Sequence, residues 1–451
     1  MTREPTDRIS VMVHAEGVAL ALDVARPGSP PKRYRLPRRD HDAWLDLHAA
    51  IAADFGARAP LNRRPAALPP PAARLEPVLT EAVSPDILYG FGDPCVLHVP
   101  EEGAWYLVAT SNDAPQSFPI LKSSDLKRWE LASFAFPQGG KPGWCLEGLG
   151  RADFWAPEIH RVGGGYWLVF SARQADGELA IGLATSARPE GPYRAQAAPL
   201  LTGGVIDPHL HVAPDGTPLL FWKVDDNGVW PRRLAALLGE RPELAGELFD
   251  NPEDRRTAAL AAALWPWLEA NAPPMEQFFA LQPLIEAAAE DLAGFEARLS
   301  GEAGLEIAET LRTRVYAQAL SPDGAALVGA RHLVLQNDQP WEAHLIEGVW
   351  VSEAQGRWFL FYAGNDFSTP QYGIGAAVAD GPLGPYRKLA APLLGSSTEW
   401  VGPGHPSVAP GPDGRPRLFL HAFFPGRLGY KAFRAVLSAD LTFEGDAVRL
   451  G

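Results

Sequence analysis

The chain has 451 residues, of which 46% are hydrophobic and 21% charged, and its net charge is −14. That is globular composition on a chain too long for one small core. The acidic balance excludes nucleic acid as the expected partner, because such binding relies on Lys and Arg neutralising phosphates. No stretch approaches the ~20 apolar residues of a membrane span. His14, Glu16 and Asp23 break up the apolar run near the N-terminus, so no signal peptide is expected and the chain reads as soluble and cytoplasmic. Cys95 and Cys145 permit one disulfide without demanding it.

Residues 1–85 read as an N-terminal extension. Ile9–Val24 alternates around Glu16-Gly17 like a hairpin. Asp40 is placed to cap a helix through Ala53, with Trp44, Leu45, Leu47, His48 and Ile51 on one side. Ala59–Pro77 is rich in Pro, Ala and Arg and reads as a linker or an extended arm. From about Ile87 the texture changes to strand-length runs mixing aromatic and aliphatic residues: Trp105–Thr110, Tyr166–Ser171, Leu219–Lys223, Trp358–Ala363 and Leu418–Ala422.

Each run leads to a closing phrase, beginning at Ser123, Ser186, Leu320, Ala379 and Leu437. The spacings are 63, 134, 59 and 58 residues, and the long one contains a foreign segment at 232–311. Without that segment there are five repeats of similar length with several strands each. This predicts an all-β fold, a five-bladed β-propeller occupying 86–451. The segment at 232–311 is helical in texture, with helices expected over Thr257–Leu268, Met275–Leu299 and Leu305–Arg314. Pro283 is expected to kink or split the second.

Four phrases fall where innermost strands should start: Phe91–Pro94 (FGDP), Phe154–Ile159 (FWAPEI), Val205–Pro208 (VIDP) and Ile346–Trp350 (IEGVW). In a propeller such starts converge on a central channel, so Asp93, Asp207 and Glu347 can meet there. Cleaving a glycosidic bond needs a proton for the leaving oxygen and a base or nucleophile on the other side. A third acid can hold a carboxyl protonated by like-charge repulsion. Taken singly, Asp-Pro and Glu-Gly also suit ordinary turns.

These phrases, together with SSDLKRW at Ser123–Trp129, EGPY at Glu190–Tyr193, IDPHL at Ile206–Leu210, DDNGVW at Asp225–Trp230 and GPGHPSV at Gly402–Val408, resemble glycoside hydrolase family 43. The resemblance covers roughly Phe91 to Leu441. It implies an inverting, exo-acting glycosidase that removes arabinofuranosyl or xylosyl residues from oligosaccharides. An endo-acting arabinanase and a non-catalytic glycan-binding propeller remain the alternatives. It assigns Asp93 as general base, Asp207 as the acid that tunes and orients, and Glu347 as general acid. Phe91, Trp155, Glu158 and His405 are assigned to the sugar pocket. No cofactor is required for catalysis, but His405 is also a candidate to help hold a structural calcium ion in the channel. Gly92 stands where the family usually has Ala, a change expected to matter little. The helical insert is expected either to wall off the pocket or to form an oligomer contact.

Overall fold

Each of the five aromatic–aliphatic runs forms the second strand of a four-stranded antiparallel meander. The computed structural model describes residues 8–64, 67–111, 114, 117–148 and 151–451. The innermost strands are Gly92–Val99, Trp155–Val162, Val205–Val212, Ile346–Ala354 and Val401–Pro410, in blades one to five. Each packs against the next, and the fifth packs against the first. The result is a five-bladed β-propeller. The closing phrases mark the exit of the third strand in blades one to four, while in blade five Leu437–Leu441 lies inside the third strand, Arg434–Glu444.

Strands buried on both faces explain the texture of the runs: Trp105–Thr110, Leu219–Lys223 and Leu418–Ala422 have every residue buried. Between blades one and two, Phe118, Phe136, Phe154 and Phe170 form an aromatic cluster with edge-on and tilted contacts. Blade five holds an extra strand. Glu76–Leu79, from ahead of blade one, pairs antiparallel with Val436–Ser438. The Pro-rich arm therefore ends in a strand that ties the start of the propeller to its last blade.

The chain divides into two compact units, Met1–Ala67 with Asp226–Arg312, and Leu68–Asp225 with Thr313–Gly451. The second unit is the propeller. The first joins the N-terminal region to the insert, which the sequence had left as separate pieces, and the division within the N-terminal region falls at residue 67, ahead of the expected 85. Its strands Ser10–Glu16, Ala19–Ala25 and Lys32–Leu36 form one small sheet. The helices are α1 (His41–Phe55), α2 (Val229–Glu240), α3 (Ala245–Leu248), α4 (Pro252–Asn271), α5 (Pro274–Ala289), α6 (Leu292–Arg298) and α7 (Gly301–Thr310).

Asp40 caps α1 by accepting from the Ala43 N–H. Helix α1 packs on α5: buried Trp44 donates to Glu276 and His41 bonds Gln282. Arg58 is buried against Asp254 of α4 and also meets Glu290. Helix α5 runs on through Pro283, so the expected split does not fall there. The break comes at Asp291, whose side chain caps α6. No helix among the described residues is long and apolar enough to cross a membrane.

Candidate active site

All five innermost strands are interrupted at the same place. Two residues on the inner strand face one on its neighbour: Asp93-Pro94 against Ala109, Ala156-Pro157 against Phe170, Asp207-Pro208 against Trp222, Gly348-Val349 against Tyr362, and His405-Pro406 against Leu420. The first residue of each pair is left-handed, with φ of 51° at Asp93, 46° at Ala156, 55° at Asp207, 57° at Gly348 and 49° at His405. A bulge re-aims a side chain, and a non-glycine residue held in this region costs about 1–3 kcal/mol. Proline after the bulge gives up no ladder bond.

Asp93, Asp207 and His405 thus hold equivalent positions on three strands. Glu347 does not: it precedes its bulge and pairs with Ala363 in the ladder. The three acids were expected at equivalent strand starts, and the offset gives Glu347 a different approach. Gly348, at the fourth bulge, lies against His405, and an added Cβ would come within 2.8 Å of the imidazole. The Gly348 N–H donates to Asp207 Oδ2 at 3.0 Å. His405 Nδ1 lies 3.4 Å from Asp93 Oδ1. The strand starts of blades one, three, four and five therefore share one polar cluster.

The acids sit in contrasting environments. Burial opposes ionisation of Asp93, but Arg434, His405 and His421 outweigh it and hold this carboxyl well below the usual range. Arg434 donates to Asp93 Oδ1 at 2.9 Å, and the Asp93 N–H donates to His421 Nδ1. Asp207 is pushed up to about 7, first by burial, with Glu347 and Asp93 adding to the rise and His405 and Lys223 opposing it. Glu347 accepts from Tyr372 Oη at 2.8 Å and from the Lys223 ammonium at 3.2 Å. Burial and the neighbouring acids keep the Tyr372 phenol protonated, so it remains a donor.

One carboxylate is thus held charged and a second is raised to neutrality beside a third, which suits acid–base chemistry on a neutral substrate. The chain matches the family described as glycosyl hydrolases family 43 over residues 86–262 and 303–447. It belongs to that family. The unmatched stretch lies within the helical insert. A xylosidase/arabinosidase 43A from Humicola insolens is 25% identical over 250 residues, covering 54% of this chain and 61% of the relative. An extracellular endo-α-(1→5)-L-arabinanase from Bacillus subtilis is 27% identical over 194 residues, covering 38% of this chain and 59% of the relative. The chain thus spans about three-fifths of the length of these curated relatives. A crystal structure of a thermostable family-43 glycoside hydrolase superposes with a TM-score of 0.56 at 27% identity, covering 82% of this chain and 96% of that one.

Other residues assigned from sequence fare differently. Phe91 is fully buried in an apolar cluster with Ile87 and Val96, edge-on to Phe433, and cannot touch a sugar. Trp155 begins the second inner strand and is partly buried one residue before its bulge. Glu158 is turned away from the expected pocket role: its Oε2 accepts from His160, from His209 Nδ1 and from the Leu210 N–H. A cavity of about 560 Å³ lies further along the inner strands, lined by His160, His209, His211 and Trp350, and none of the three acids reaches it.

Calcium takes six to eight oxygen ligands. His405 offers a nitrogen, and the Asp93 oxygen beside it is already held by Arg434, so these two residues do not form a calcium cage. Glu158, His160 and His209 do bring ligand atoms together. Yet His209 Nε2 accepts the Val351 N–H, which leaves the ring's proton on Nδ1 for Glu158. A metal at Nδ1 would force a proton onto Nε2 against that N–H. The trio is a hydrogen-bonded brace between blades.

Sequence reading missed Lys223, Tyr372, His421 and Arg434. Lys223 is hidden in the apolar run LLFWK, where a lone charge on a buried strand was itself the signal. Gly92 adjoins the tip of the Arg434 side chain. An added Cβ there would lie 1.7 Å from Arg434 Cζ, in the space the guanidinium crosses to reach Asp93.

Proposed function

We propose that the chain is an inverting glycosidase that removes arabinofuranosyl or xylosyl units from the ends of oligosaccharides. Asp93, held ionised by Arg434, takes a proton from water as the water attacks the anomeric carbon. The bond to the leaving oxygen breaks and Glu347 gives that oxygen its proton. Asp207, bound by the Gly348 N–H next to Glu347, shares one retained proton with it; when that proton is on Glu347, the Asp207 charge beside it opposes its loss until the leaving oxygen takes it. The single observation that carries this reading is geometric: three strand starts bring Asp93, held by Arg434 at 2.9 Å, into one cluster with Asp207, which the Gly348 N–H bonds at 3.0 Å beside Glu347.

The test is hydrolysis of arabino- and xylo-oligosaccharides, with the anomer of the first product read by NMR. Unactivated linkages are needed, because a good aryl leaving group departs without a general acid. Glu347→Gln and Asp93→Asn are each expected to lower kcat by about 10²–10⁴-fold. Undiminished turnover in either variant, or a first product of retained configuration, overturns the assignment. The similarity to an endo-arabinanase keeps internal cleavage as a second reading. Products longer than one sugar from linear arabinan would select it. Sugar binding without turnover on any of these substrates would select a non-catalytic role.

A further inference from the structure

Lys223 has no assigned place in this chemistry, yet it is the most unusual group near it. Its side chain is 1% exposed on the second strand of blade three, where it pairs with Ile206 beside the Asp207 bulge. Burial of an ammonium is costly and needs partners. Here they are Glu347 Oε2 at 3.2 Å and Asp225 Oδ1 at 3.9 Å. Burial works against the charge, but Glu347, Asp225 and Asp207 together raise its pKa above the ordinary lysine value, so it stays an ammonium.

We propose that Lys223 is the positioning residue of the Asp207–Glu347 pair, its ammonium holding Glu347 in place and limiting the pair to a single proton. The inference rests on the acid–base reading above. Three carboxyls crowd one cluster, and Arg434 balances only Asp93. Without a second cation, the other two would retain two protons to higher pH, because each disfavours the other's charge. With Lys223 present, the pair carries one proton and one charge, the form in which one acid donates while its neighbour stays anionic. Tyr372 donates to the other oxygen of Glu347, so the carboxyl is held from both sides. Among the described residues, other charged or titratable groups facing this set include Asp93, His405 and, on the Lys223 side, His344 and Asp225.

The experiment compares the pH profile of kcat/KM for the full chain with those of Lys223→Met, Lys223→Arg and Asp225→Asn. Removing the ammonium should move the basic limb up by about one pH unit or more. Asp225→Asn removes a charge that repels the pair's anion, so it should move the same limb down. Lys223→Arg should leave the limb near the wild-type position. A role confined to folding would lower activity equally at every pH. A basic limb unmoved in Lys223→Met, or moved as far in Lys223→Arg, overturns the proposal. If Lys223→Met does not fold, the direction of the Asp225→Asn shift decides. Carboxyl titration by ¹³C NMR gives the same comparison without turnover. A wild-type chain inactive on every glycoside would therefore sink the proposed function while still testing Lys223.

Discussion

A missing methyl group at position 92 leaves the path by which Arg434 reaches Asp93. Gly92→Ala should push the guanidinium aside and raise the Asp93 carboxyl by roughly one to three pH units. The acidic limb of the pH profile should then move up, with KM changed less than kcat. Asp207 makes a complementary prediction for stability. Its folded value near 7 lies above the ordinary carboxylate value, so the folded chain keeps a proton that the unfolded chain has released. That contribution is fully present below about pH 4 and is lost as pH rises through 7. It amounts to at most ~4 kcal/mol. Asp207→Asn should flatten this loss, seen as a smaller drop in Tm between pH 5 and 8 than in the wild type. An unchanged slope would mean that the buried charge is compensated elsewhere.

The elements of the propeller were readable to the degree that they were apolar. Second strands stood out because both faces are buried. Arg194–Ala195 and Arg387–Lys388, the fourth strands of blades two and four, are two residues long and left no signature. The bulges were half legible. Proline at a fixed offset marks four of them, but Val349 breaks the pattern in the blade that carries Glu347, so its one-residue offset was invisible. Lys223, Arg434 and His421 come from neighbouring strands and act only through spatial pairing, which a linear pattern does not encode. The strand Glu76–Leu79 was read as part of an arm because Pro77 and its neighbours lack a strand's alternation. Leu79 is buried where that strand meets Val436. Leu79→Ala should cost the propeller about 2–5 kcal/mol, measured by denaturant unfolding.

At the scale of the whole chain, two sequence segments that read as unrelated form one folded unit. Non-local ion pairs cross their joint: Arg58 meets Asp254, and Arg39 meets Glu276 at 2.7 Å. Arg58→Met would leave Asp254 buried without its cation, at a cost of about 3–5 kcal/mol. Hydrogen exchange should then quicken in both 8–64 and 226–312, the signature of one shared core; a change in only one segment would argue against it. The pairing of Glu76–Leu79 with the third strand of blade five has a consequence in time. This strand is among the first parts of the propeller to be synthesised, and its partner, Val436–Ser438, is among the last. At ~5–20 residues per second, it waits on the order of tens of seconds as an unpaired edge while four blades are made. Glu76 and Pro77, a charge and a residue that cannot donate, are suited to keeping that waiting edge from pairing with another chain.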